Sequence, residues 1–389
     1  MKIQIIFLFL FLSFTFSVTA QQMTVGAEQT DAYLPLLKGK RIAVVANQTT
    51  VVGKTHLVDT LLALDINIVK IFSPEHGFRG QAEAGAAISN EVDTKTNLPI
   101  ISLYGKNKEL QGKDIQDVDL LIFDIQDVGA RFYTYISTLH YVMQTCADNN
   151  KPLLILDRPN PNGFYVDGPI LQSDCSSFVG MHPVPIVHGM TIAEYALMIN
   201  GERWLKNGNQ CQIEYILVKN YTHDSLYRLP IAPSPNLQTM EAIYLYPSLC
   251  WFEGTTVSVG RGTEKPFQII GSPYTEPNDF FFTPEPIKGV SENPPFKGGR
   301  CYGFDLSNEW QSVFESKKIN LSYLERMYRL SIAKENFFTS FFDKLAGNKD
   351  LKQQIIQGLS EKEIRTSWEK DLNAYKQMRK QYLLYPDFN

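Results

Sequence analysis

Leu120–Asp124 reads LLIFD, and Leu153–Asp157 reads LLILD. Each is an apolar run closed by an aspartate. A strand that is apolar at every position has no solvent face, so it belongs inside a parallel sheet covered on both sides. Between these two runs, Tyr133–Asn149 has helical spacing. Toward the N-terminus, Arg41–Asn47 (RIAVVAN) and Ile66–Phe72 (INIVKIF) are further strands, with the helical stretch His56–Leu64 (HLVDTLLAL) joining them. Toward the C-terminus, Pro183–His188 (PVPIVH) reads as a strand. Thr191 and Glu194 then make a capping box that opens a helix through Leu205. Gln212–Val218 is another strand. Strands alternating with helices predict an α/β fold: a doubly wound, Rossmann-like parallel sheet with right-handed crossovers.

The proline-rich segment Leu229–Asn236 (LPIAPSPN) marks a boundary. Beyond about residue 240 the chain is rich in turns, glycine, proline and aromatics, and it becomes helical from Asn308. This predicts a Rossmann-like domain over 21–240 and a smaller α+β domain over 241–389, in keeping with a length of 389 residues. A formal net charge of −4 without a basic stripe argues against a nucleic-acid partner. Residues 1–20 read as a secretory signal peptide: Lys2, an apolar run from Ile3 to Val18, and small residues at Val18-Thr19-Ala20 before Gln21. Export is expected, to the periplasm first and the extracellular space second. No later stretch is long and apolar enough to span a bilayer. The five cysteines show no C-x-x-C, and their odd number leaves at least one free thiol.

Ligands bind beyond the carboxyl ends of the strands in an open parallel sheet. Those ends read Asn47-Gln48, Ser73–Gly77 (SPEHG), Asp124–Arg131 (DIQDVGAR) and Asp157–Asn162 (DRPNPN). Glu75, His76, Asp124, Asp127, Arg131, Asp157, Arg158 and Asn160 are therefore expected to converge on one edge. Glu75 leads as a catalytic group, because a carboxyl set against apolar walls suits general-acid work. His188 closes PVPIVH, Asn236 closes PSPN, and Arg261 lies between two glycines. Glu253 is the candidate for a second carboxylate facing Glu75 across an interdomain cleft. Each charge has a structural alternative, since buried charges must be paired. Gly53-Lys54-Thr55 lacks the first glycine of a phosphate loop, and neither G-x-G-x-x-G after the first strand nor G-x-S-x-G is present. A metal site from His76, His188 and the aspartates stays open.

SPEHGFRG (73–80), SLYG (102–105), FDIQDVGARFYTY (123–135), LDRPNPNG (156–163), HGMTIAE (188–194), PSPN (233–236), EGT (253–255) and GRGTEKPF (260–267) are distinctive strings. With them in this order, the chain from about residue 35 onward resembles the exo-β-N-acetylmuramidase family. The resemblance implies an exported glycoside hydrolase that removes N-acetylmuramic acid from the non-reducing ends of peptidoglycan fragments. It also implies an interdomain site and no organic cofactor. Glycoside hydrolysis commonly uses two carboxyl groups, which Glu75 with Glu253 or Asp127 could supply. A guanidinium suits the lactyl carboxylate of muramic acid, and Arg131, Arg158 and Arg261 are the candidates. Tyr104, Tyr133 and Tyr135 could pack on the sugar, with His76, Asp124, Asp157, Asn160, His188 and Asn236 as further contacts. Asn162, where an apolar residue is expected, and Glu264-Lys265 depart from the family pattern. Two other readings compete: a non-catalytic muropeptide-binding protein and a metal-dependent cell-wall amidase or esterase.

Overall fold

The computed structural model of the chain describes residues 22–75, 77–79, 91–105 and 108–388. The expected signal peptide and His76 lie outside the described residues. The main sheet has seven strands: β1 (Ile42–Ala46), β2 (Ile68–Ser73), β3 (Glu91–Val92), β4 (Pro99–Ser102), β5 (Leu120–Asp124), β6 (Leu153–Leu156) and β7 (Ile213–Ile216). They pair in the order β3-β4-β2-β1-β5-β6-β7, all parallel except the short edge strand β3. Counted among themselves in chain order, the six parallel strands stand 3-2-1-4-5-6, the doubly wound arrangement.

The apolar runs are continuous because each strand feeds two cores. Ala43, Val45, Leu121, Phe123, Leu153 and Ile155 point into one, while Ile42, Val44, Leu120, Ile122, Leu154 and Leu156 point into the other. Helices α1 (Thr30–Leu37) and α2 (Leu57–Ala63) cover the second face with Tyr33, Leu37, Leu57 and Leu61. On the first face lie α3 (Tyr135–Asp148) and α4 (Ile192–Gly201). The Thr191–Glu194 capping box is present, with Thr191 N donating to Glu194 Oε2 at 2.9 Å.

The smaller C-terminal domain opens with α5 (Met240–Leu249) and the 3-10 turn Cys250–Gly254. Its antiparallel sheet joins β8 (Ile269–Ser272), β9 (Phe281–Phe282) and β10 (Cys301–Asp305) in the order β8-β10-β9. Five helices follow: α6 (Gln311–Ser316), α7 (Ser322–Leu330), α8 (Phe342–Ala346), α9 (Asp350–Gln357) and α10 (Glu361–Arg379). Trp251, Phe252, Leu345 and Trp368 join the same core as α3 and α4, so the two domains pack without a solvent layer.

Two expectations shift, and one stretch is added. Pro183–His188 is not a strand; Val187 makes only isolated bridges to Ala130 and Asp167, because Pro183 and Pro185 cannot donate to a ladder. The stretch from Glu91 to Ser102, unassigned in the sequence, supplies the edge strand β3 and its neighbour β4, both too short to show a period. The helix opened by Thr191 ends at Gly201 rather than Leu205. All five cysteines are buried free thiols, and the neighbouring Cys211 together with burial pushes the Cys146 thiol well above its ordinary value. No helix among the described residues is long and apolar enough to cross a membrane.

Candidate active site

A cleft of about 360 Å³ opens where β2, β4 and β5 end, and the C-terminal domain supplies its other wall. Glu75 enters it from the turn after β2, closed by Gly77 N donating to Pro74 O at 3.2 Å, with Gly77 at φ +78°. Thr134 Oγ1 donates to Glu75 Oε2 at 3.1 Å. The floor is aromatic: Tyr133 and Tyr135 meet edge to face with centroids 4.8 Å apart, and Tyr246 stands 5.8 Å from Tyr133 and 5.0 Å from Phe267. Both tyrosine hydroxyls donate to Pro233 O, at 2.9 and 3.2 Å, and Asn47 Nδ2 donates to the Tyr135 hydroxyl at 2.8 Å. The sheet edge thereby grips the PSPN segment. Burial pushes the Tyr135 hydroxyl above its ordinary value; the hydrogen bond with Tyr133 opposes this, and the charge of Glu75 adds to it.

Glu253 lies in the opposite wall, on the turn after α5. Its Oε1 accepts from Arg261 Nε at 2.6 Å, and its Oε2 faces Cys250 Sγ at 3.7 Å. Arg261 is presented by a turn that only glycine allows: Gly260 has φ +79°, and a Cβ there would stand 2.6 Å from Ile269 Cγ1. The guanidinium lies 5.2 Å from the centroid of Phe267, a residue that itself holds φ +57°. Burial works against the charge of Arg261, but the carboxylate of Glu253 more than restores it. Two carboxylates, Glu75 and Glu253, and two cations, Arg261 and Lys108, thus line one aromatic-floored cleft.

The other expected site residues form the body beneath this cleft. Arg131 is fully buried and donates to four carbonyls, those of Pro169, Val184, Leu345 and Ala346, at 2.8–3.0 Å. Arg158 Nη2 pairs with Asp124 Oδ2 at 2.9 Å, and both side chains are sealed from solvent. Neither arginine reaches the cleft. Asp157 Oδ1 accepts from Ala193 N at 3.0 Å, and its Oδ2 accepts from the Tyr385 hydroxyl at 2.6 Å. Asn160 donates to Met190 O at 2.9 Å and accepts from Asn162 N at 2.8 Å. Asn236 donates to Val290 O at 2.9 Å. Asp127 Oδ2 accepts from Gly129 N at 2.7 Å and stands 3.7 Å from His188 Nε2; both residues are buried behind the aromatic floor. The structure therefore gathers Glu75, Glu253, Tyr133 and Arg261 around the opening, and it places Asp124, Asp127, Arg131, Asp157, Arg158, Asn160, His188 and Asn236 outside the cleft lining.

Family models described as exo-beta-N-acetylmuramidase NamZ match the chain twice, the N-terminal model over residues 42–241 and the C-terminal model over 244–385. The chain belongs to the exo-β-N-acetylmuramidase NamZ family. It is 38% identical over 373 residues to the peptidoglycan beta-N-acetylmuramidase NamZ of Bacillus subtilis (strain 168), covering 91% of this chain and 89% of the relative. Among solved structures, a DUF1343 family protein of Bacteroides fragilis NCTC 9343 superposes with a TM-score of 0.88 at 49% identity, covering 94% of this chain and all of the other. A second DUF1343 protein of that organism gives 0.75 at 26% identity, covering 93% and 99%.

Within this NamZ-family chain, Asn162 fits its buried place because its Nδ2 donates to Val128 O and Ile243 O, at 2.8 and 3.1 Å. Among the described residues no three His, Cys, Asp or Glu side chains are grouped to hold a metal ion. Lys108, Phe178 and Phe341 line the cleft but were not among the expected residues. No local signal marks them, since each comes from a loop whose composition resembles ordinary surface.

Proposed function

We infer that this chain hydrolyses the glycosidic bond of N-acetylmuramic acid at the non-reducing ends of peptidoglycan fragments, with Glu75 and Glu253 as its two carboxyl groups. The observation that carries this reading is their placement on opposite walls of one cleft with an aromatic floor, in a chain of the NamZ family. An aromatic floor suits the apolar face of a pyranose ring. Glu253 is held against Arg261, so it takes the anionic role of base or nucleophile. Glu75, on the opposite wall, protonates the leaving oxygen. Arg261 keeps Glu253 oriented, and the Gly260 turn keeps Arg261 in place. We further propose that the protein is exported through residues 1–20, which places it with the cell-wall fragments it degrades.

The test is a chromogenic β-N-acetylmuraminide. Wild-type protein is expected to release the chromophore, and inactivity from mildly acidic to mildly basic pH would overturn the reading. Binding of the saccharide without turnover would establish a binding protein instead. Loss of activity on adding a chelator would favour the metal-dependent amidase or esterase.

A further inference from the structure

We infer that Lys108 is the specificity-determining residue that recognises the lactyl carboxylate of the muramyl ring, an assignment that rests on the muramidase reading above. Muramic acid differs from glucosamine by a lactyl ether at C3, and that ether carries its negative charge. A carboxylate bound in a cleft that already holds Glu75 and Glu253 calls for a cation of its own. Four cations bear on the choice. Arg131 and Arg158 are spent inside the fold, on carbonyls and on Asp124. Arg261 gives its Nε to Glu253 at 2.6 Å, which ties its guanidinium to a proposed catalytic carboxylate.

Lys108 is the remaining one. It lines the cleft, is half-buried, and makes no ion pair with a carboxylate among the described residues. Its Nζ lies 4.4 Å from the centroid of the Phe178 ring. That ring stacks on Tyr141, centroids 6.2 Å apart and 12° from parallel, and Phe178 O accepts from Ser137 Oγ at 2.7 Å. Helix α3 therefore buttresses the platform, and the cation–π contact holds the ammonium in place without consuming its donors on an anion. An ammonium acts as a point charge with rotatable donors, so it can follow a lactyl group that turns about its ether bond. The strands agree with this placement. Strands β2 and β4 are parallel neighbours with Ser73 opposite Ser102, so Glu75 and Lys108 both follow strands that end at the same edge, and both line the cleft. An acid at the C1 oxygen and a cation at the C3 substituent would then flank one pyranose ring from one wall, with Glu253 on the other.

The experiment compares N-acetylmuramic acid with its lactyl amide by calorimetry, in the wild type and in Lys108→Met and Lys108→Arg. Hydrolysis of the muramyl glycoside is followed in parallel. A charge-assisted contact of this kind is expected to give the wild type about a tenfold or greater preference for the free acid. Lys108→Met should abolish that preference by weakening the acid and not the amide, with the activity loss falling in KM. Lys108→Arg should restore much of it. Retention of the preference in Lys108→Met overturns the assignment. A wild type that hydrolyses the glycoside but binds acid and amide equally overturns Lys108 alone, whereas a wild type with no hydrolysis overturns the muramidase reading and this assignment together.

Discussion

Arg131 and Glu75 follow strands of the same sheet and do different work. Arg131 has its guanidinium surrounded by four carbonyl oxygens drawn from two distant parts of the chain. Burial pulls it down to about 10, still well charged at neutral pH. Replacing it with Met strands those carbonyls, and the expected cost is about 3 kcal/mol or more of unfolding free energy. An unchanged denaturation midpoint would return Arg131 to the list of ligand contacts. Glu75→Gln should behave in the opposite way. Loss of a general acid is expected to lower kcat by about 10²–10⁴ while the unfolding midpoint stays in place. Near-normal turnover in that variant would remove Glu75 from the mechanism.

At the scale of elements, the end of β6 is a junction. Asp157 receives the N-terminus of α4 through Ala193 N and the C-terminal tail through Tyr385. Burial raises its carboxyl to about 6, although the Tyr385 hydroxyl, Thr191 and the Ala193 amide draw it down and only Glu194 adds to the rise. Tyr385→Phe removes one donor from the ionised form, so it should cost about 1–3 kcal/mol above pH 6. The cost should shrink near pH 5, where Asp157 is protonated in the folded state. Equal losses at pH 5 and 7.5, measured by urea unfolding, would show that the hydroxyl does not act through the carboxylate. The turn at Gly260 is a second such junction. Gly260→Ala has no room beside Ile269 and an unfavourable φ, so it should displace Arg261 and lower activity more than stability. Kinetics alongside thermal melts would separate the two effects.

Over the whole molecule, one core runs from the sheet into the C-terminal domain, and the cleft lies at the surface where they meet. Buried histidines make that body sensitive to acid. Burial lowers His56 and His140 to about 4 and His182 well below its ordinary value, with His140 as a second cause for His182. His140 Nδ1 and His182 Nε2 share a hydrogen bond of 2.9 Å, which needs one ring to accept. Because the folded-state values are depressed, the unfolded chain takes up protons first as pH falls below about 6.5. Stability should therefore fall progressively between pH 6.5 and 4. Asp157, Asp124 and Glu325 oppose this, since their raised carboxyls favour the folded state at low pH, but the histidines of the unfolded chain begin to take up protons at a higher pH. A melting temperature flat from pH 7 to 4.5 would contradict the burial of these rings.

Much of this architecture was legible in the order of residues. LLIFD and LLILD are apolar at every position because alternate side chains enter two cores, and that condition acts along a single strand. The Thr191–Glu194 cap is equally local, while the isolated bridges of PVPIVH and the short strands β3 and β4 were set by what lies beside them. Sheet topology also told which residues stand at the strand-end edge, Glu75 among them. The direction each strand-end side chain takes was not readable there. Asp124, Asp157, Arg131 and Arg158 stand at strand ends like Glu75, yet carbonyls, amides and countercharges arriving from remote segments claim them. Glu253 and Arg261 meet Glu75 only because two domains close on one edge. Chemical type and strand position are written locally, but whether a charge is spent on the fold or left for a ligand depends on the partners that tertiary packing delivers.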